Sequence, residues 1–136
     1  MNNLRGVLLA FLMMLWAMPA LAEEKAVTAF SEETGFKMSK KALDTMAIKF
    51  ESISTPSPWK VSKGSLVRIK HVTGVYRRLD GWIDFVLVTV VRSQGEWVWI
   101  TSPDLEKGDE IAIANTVFLR MTEADLKSES TDACAH

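Results

Sequence analysis

The chain has 136 residues, 48% of them hydrophobic, with 16 basic and 17 acidic side chains and a formal net charge of −1. That near balance argues against a nucleic-acid binder, which would present a basic face. A single cysteine, Cys134, excludes an internal disulfide, so a folded domain of this size must be held by its hydrophobic core.

The first 22 residues have the three-part layout of a secretory signal. One positive charge, Arg5, precedes an apolar run from Val7 to Ala20 that only Pro19 interrupts. Ala20-Leu21-Ala22 is a small-x-small cleavage site, followed at once by Glu23 and Glu24. The apolar run is about 14 residues, short of the roughly 20 that span a bilayer. Cleavage after Ala22 is therefore expected, and no Cys follows it to take a lipid. The product is expected outside the cytoplasm with no membrane anchor of its own. Without residues 1–22 the net charge is −2.

Residues 23–35, rich in Glu, Thr and Ala, read as a flexible lead-in. Gly35–Met38 reads as a short strand. Ser39 is a good N-cap, and behind it Ala42, Leu43, Met46 and Ala47 recur at helical spacing, which predicts a two-turn helix over 39–47. Ile48 and Phe50 then alternate with Lys49 and Glu51 as a strand does, until Pro56 and Pro58 break the run. Leu66–Lys70 and Gly74–Arg78 read as strands around a kink at His71–Thr73. Asp80-Gly81 is a strong two-residue hairpin signal, since a type I′ turn needs positive φ at both positions.

The run Trp82–Val91 is the longest strand candidate. Its second half is apolar on both faces, which predicts a central, buried strand. Ser93-Gln94-Gly95 turns it into Glu96–Ile100, where Trp97 and Trp99 share one face and Val98 and Ile100 the other. At least one of the two tryptophans is expected in the core. Pro103–Gly108 reads as a loop and Glu110–Ala114 as a last strand. Asn115–Met121 reads as a short helix or an irregular return, and the polar residues 127–136 as a flexible tail.

Three segments resemble the C-terminal part of periplasmic adaptor proteins (membrane fusion proteins) of resistance-nodulation-division efflux pumps, in particular the heavy-metal branch. They are WKVSKGSLVRIKHVTGVYRRLDG (59–81), FVLVTVVRSQGEWVWITSPDLEKGDEIAIA (85–114) and FLRMTEADL (118–126). Gly74-Val75-Tyr76, Val88-Thr89-Val90, Leu105, Gly108-Asp109 and Phe118-Leu119 fall on the family's positions. A fourth segment, FKMSKKALDTMAIKFESIS (36–54), resembles the adaptor unit of strand, short helix, Gly-Ile and strand. Here Ala47 stands where the family has Gly. Because Gly takes a left-handed C-cap more easily, the helix is expected to end differently.

In full adaptors these stretches lie far apart in sequence and fold together as the membrane-proximal domain. Here Thr55-Pro56-Ser57-Pro58 alone separates them. The resemblance thus implies a membrane-proximal domain over 36–126 without the other adaptor domains: mostly β, a small antiparallel β-barrel or roll with one or two short helices. It implies a periplasmic, non-catalytic accessory module whose partner is an efflux pump or adaptor protein.

No spacing of nucleophile, base and acid points to catalysis, so an enzyme is not expected, and no Gly-rich phosphate loop calls for a nucleotide cofactor. The candidate partner-binding residues are the aromatic pair Trp97 and Trp99, because aromatic anchors dominate interfaces, and the basic pair Arg77 and Arg78, suited to an acidic pump surface. The one local ligand cluster is Asp132, Cys134 and His136 near the end of the chain. Thiolate and imidazole suit Cu(I) or Zn(II), which gives an alternative reading as a soluble periplasmic metal-binding protein.

Overall fold

The computed structural model describes residues 23–135. The segment expected to be an export signal, 1–22, and His136 lie outside them. Among the described residues the fold is mostly β, as expected: ten strands in two antiparallel sheets, with two α-helices. The strands are β1 (Val27–Ser31), β2 (Gly35–Met38), β3 (Lys49–Ser52), β4 (Trp59–Ser62), β5 (Val67–Ile69), β6 (Val72–Leu79), β7 (Trp82–Leu87), β8 (Thr89–Gln94), β9 (Trp97–Thr101) and β10 (Glu110–Ala114). The helices are α1 (Lys40–Thr45) and α2 (Thr116–Ala133).

The large sheet runs β1-β2-β7-β6-β10-β3, with β5 also paired to β6; the small sheet runs β4-β9-β8. The sheets do not close into a barrel. Segments 36–54 and 59–126 interleave in the large sheet, because β2 pairs with β7 and β3 pairs with β10.

Both faces of the large sheet are buried, and adjacent residues of β6 show why. Tyr76 points into a core with Phe36, Met38, Ala42, Ile83 and Leu119, beneath the helices. Val75 points the other way, into a core shared with the small sheet through Val86, Val98, Ile100 and Ile111. The period-2 alternation of a strand thus serves two cores at once. The Tyr76 and Phe85 rings meet edge to face at 5.5 Å.

Helix α1 starts as its sequence indicates: the Ser39 hydroxyl accepts from the Ala42 N–H. Its end is where the expectation fails. Ala47 takes the left-handed conformation, φ 50°, that Gly would have taken. The Ala47 N–H donates to the Asp44 carbonyl and the Ile48 N–H to the Leu43 carbonyl, the two bonds of a Schellman cap. Asn115 Nδ2 donates to the Met46 and Ala47 carbonyls at 3.1 Å each. Tertiary bonds therefore hold Ala in a conformation its Cβ disfavours.

Three other expectations are corrected. Within 23–35, residues 27–31 form β1, paired to β2 across a turn that ends at Gly35, φ 99°. A methyl there would collide with the Ile83 carbonyl, so the turn requires Gly. The kink at His71–Thr73 is a tight hairpin turn at Lys70-His71, with Lys70 at φ 55°. Most of the tail is ordered, since α2 continues to Ala133.

The contacts that hold α2 to the sheet include Leu119, Glu123 and the partly buried Leu126. Leu119 is fully buried, a burial that contributes roughly 1.5–3 kcal/mol. Glu123 is buried too, and its two oxygens accept from the Tyr76 hydroxyl and the Lys127 ammonium, both at 2.6 Å. Burial, reinforced by the bond to Glu123, holds the Tyr76 phenol far above its ordinary value of 10.0, so it remains a donor. Polar tail residues gave no sign of this because the anchor is a charged residue turned inward.

Ala47→Gly relieves the left-handed strain without changing a hydrogen bond. It is expected to stabilise the fold by about 0.5–1 kcal/mol, read as a raised urea midpoint at unchanged slope.

Candidate docking face

The outer face of the small sheet carries the tryptophan pair. Along β9, Val98 and Ile100 turn into the core, so Trp97 and Trp99 turn outward. Neither enters a core, contrary to the expectation for at least one of them: Trp97 is 46% exposed and Trp99 is half-buried. The register supplies their neighbours. Lys60 of β4 and Arg92 of β8 both pair opposite Trp99. The Lys60 ammonium sits 4.4 Å from the Trp97 ring centre and 5.9 Å from that of Trp99. The Arg92 guanidinium lies 3.7 Å over Trp99. Each such contact contributes roughly 0.5–1 kcal/mol at an exposed position. Two cations and two indoles therefore form one stack across the three strands.

Strand β8 departs most from expectation. The run Trp82–Val91 breaks at Val88, whose N–H donates to the Thr73 carbonyl. Strand β7 stays in the large sheet, and β8 crosses to the outer edge of the small one. Its residues are all exposed, Val90 at 41% and Val91 at 53%. A bulge between Val90 and Arg92 sets Val91 beside Arg92 along a shallow depression that Pro58 and Trp99 complete. Apolar composition on both sides of a strand fits burial by a neighbouring chain as well as by its own fold. Within the described residues, the outer edge of β8 has no strand partner. A second exposed apolar group, Val117, Phe118 and Met121, lies on the first turns of α2 but carries no comparable stack.

The basic pair is placed elsewhere. Arg77 forks onto Asp84 at 2.8 and 3.1 Å, donates to the Asp104 carbonyl, and has Asp109 at 3.8 Å. The bond to Asp84 holds the guanidinium above its ordinary value. Arg78 forks onto Glu110 at 2.9 and 3.2 Å and stacks 4.1 Å over Phe50. Both cations are thus paired within the large sheet rather than presented as a free basic patch, and neither adjoins the tryptophans. The acidic partners lie 7 to 32 residues away, a separation that hides the pairing from local sequence.

In the tail, Asp132 lies in the last turn of α2, and Cys134, exposed and free, caps its end. His136 lies outside the described residues. Among the described residues, no group of three His, Cys, Asp or Glu side chains is arranged to hold a metal ion. Met38 is buried in the core beneath the helices, Met46 packs against it and Met121 is exposed, so the three do not form one site. No described helix is long and apolar enough to cross a membrane. In comparisons with known proteins, no family model, curated protein or solved structure matches the chain.

The bond to Arg78 holds the Glu110 carboxyl below its ordinary 4.5. A depressed carboxylate stabilises the fold above its unfolded value and loses that contribution as pH falls through the folded one. Arg78→Gln should therefore move the Glu110 titration, followed by carboxyl-carbon NMR, upward toward 4.5. It should also shrink the stability that wild type loses on acidification below that pH.

Proposed function

We propose that this chain is a non-catalytic periplasmic binding module that docks on an efflux pump or its adaptor through the outer face of the small sheet. The observation that carries the docking reading is the stack of Trp97, Trp99, Lys60 and Arg92 beside the exposed strand β8. Aromatic anchors pre-positioned by cations lose little side-chain freedom on binding, which favours affinity. Lys60 and Arg92 make no ion pair within the described residues, and they favour an acidic partner surface. The choice of partner rests on the resemblance of 36–126 to the adaptor membrane-proximal domain. In support, its two segments, distant in full adaptors, share one sheet here. The export signal at 1–22 supports the compartment.

A photo-activated cross-linker at position 91 tests this in a two-membrane bacterium that carries the protein. The expected adduct, identified by mass spectrometry, contains an inner-membrane efflux pump subunit or an adaptor. Trp97→Ala should lower its yield roughly tenfold or more, the loss typical of an interface anchor. A reproducible adduct with an unrelated protein, or none, contradicts the proposal.

A further inference from the structure

The sheets leave an open seam between β3, the last strand of the large sheet, and β4, an edge of the small one. A pocket of about 190 Å³ occupies it. Ile111 and Val61, both buried, and the partly buried Ile113 form an apolar floor. The walls carry opposite charges: Lys60 on the β4 side and Glu51 on the β3 side. Both side chains are exposed, and no ion pair joins them. Ser54 and Thr55, in the connection from β3 to β4, line the pocket with hydroxyls.

We propose that this seam pocket binds a free α-amino acid with an aliphatic side chain. The ligand carboxylate pairs with Lys60, its ammonium pairs with Glu51, and its side chain rests on Ile111, Val61 and Ile113. Charge selects the class. A fatty carboxylate would set a second anion against Glu51, an alkylamine would set a second cation against Lys60, and a zwitterion satisfies both walls. Size favours a small ligand, since the pocket is about 190 Å³. That is below the roughly 300 Å³ at which pockets for larger ligands begin. The site does not depend on the docking proposal, and it adds a ligand of a different kind. It shares Lys60 and Trp97 with the docking face.

Calorimetry on the chain starting at Glu23 tests this with three probes: L-leucine, 4-methylpentanoate, which lacks the ammonium, and 3-methylbutylamine, which lacks the carboxylate. Leucine should bind saturably with Kd on the order of 1 mM, and each analogue roughly fivefold or more weakly. Lys60→Met should erase the advantage of leucine over 3-methylbutylamine, and Glu51→Gln its advantage over 4-methylpentanoate. Both side chains are exposed, so the variants are expected to fold, which circular dichroism checks. No saturable leucine binding up to about 10 mM overturns the proposal. Equal binding of all three probes, or selectivity that survives both substitutions, also overturns it.

Discussion

The architecture depends on the break at Val88. A run of apolar residues that would make one long strand is divided between two sheets, with the Val88 N–H bonded to Thr73 at the crossing. Before the break, β7 lies inside the large sheet, between β2 and β6. After it, β8 forms the edge of a second sheet stacked on the first. Stacking buries Val98 and Ile100 against Val75, Val86 and Ile111. The same stacking leaves the opposite side of β9, with its two tryptophans, facing out. The outward stack and the seam pocket are both consequences of dividing that run.

Helices cover the other side of the large sheet. The order is helices, large sheet, small sheet, with a core in each gap. Asn115 joins the layers locally, since it closes the end of α1 and precedes the first turn of α2. The Tyr76–Glu123 bond then fixes α2 from the sheet side. A buried carboxylate is costly unless its oxygens are bonded, and here each has a donor. Charges that would otherwise be free on the large sheet are neutralised in place by the Arg77 and Arg78 pairs. Lys60 and Arg92, by contrast, make no ion pair within the described residues and lie over the small sheet's tryptophans.

Local signals were legible where local chemistry decides. Ser39 marked the start of α1, Asp80-Gly81 marked a turn whose φ values are 51° and 81°, and Glu110–Ala114 matched β10 to the residue. Signals failed where distant residues decide. Ala47 adopts the left-handed cap because Asn115, 68 residues on, bonds its carbonyl. Strand β8 looked buried because periodicity reports which faces are apolar and not which chain covers them. The helical reach of 122–133 was hidden because Glu123 anchors it. In the candidate site, Trp97 and Trp99 were visible from alternation alone. Lys60 and Arg92 became visible only once the register of β4 and β8 against β9 was known.

The central claim is that the small sheet's outer face is the surface at which this protein meets its partner. Amide hydrogen exchange of the protein, alone and with inner membranes that contain the proposed efflux pump or adaptor, tests it most directly. Residues 89–94 and 97–99 should exchange more slowly in the bound form, while 116–133 remain unchanged. Slowing confined to α2, around Val117, Phe118 and Met121, with no change in β8 and β9, would contradict it.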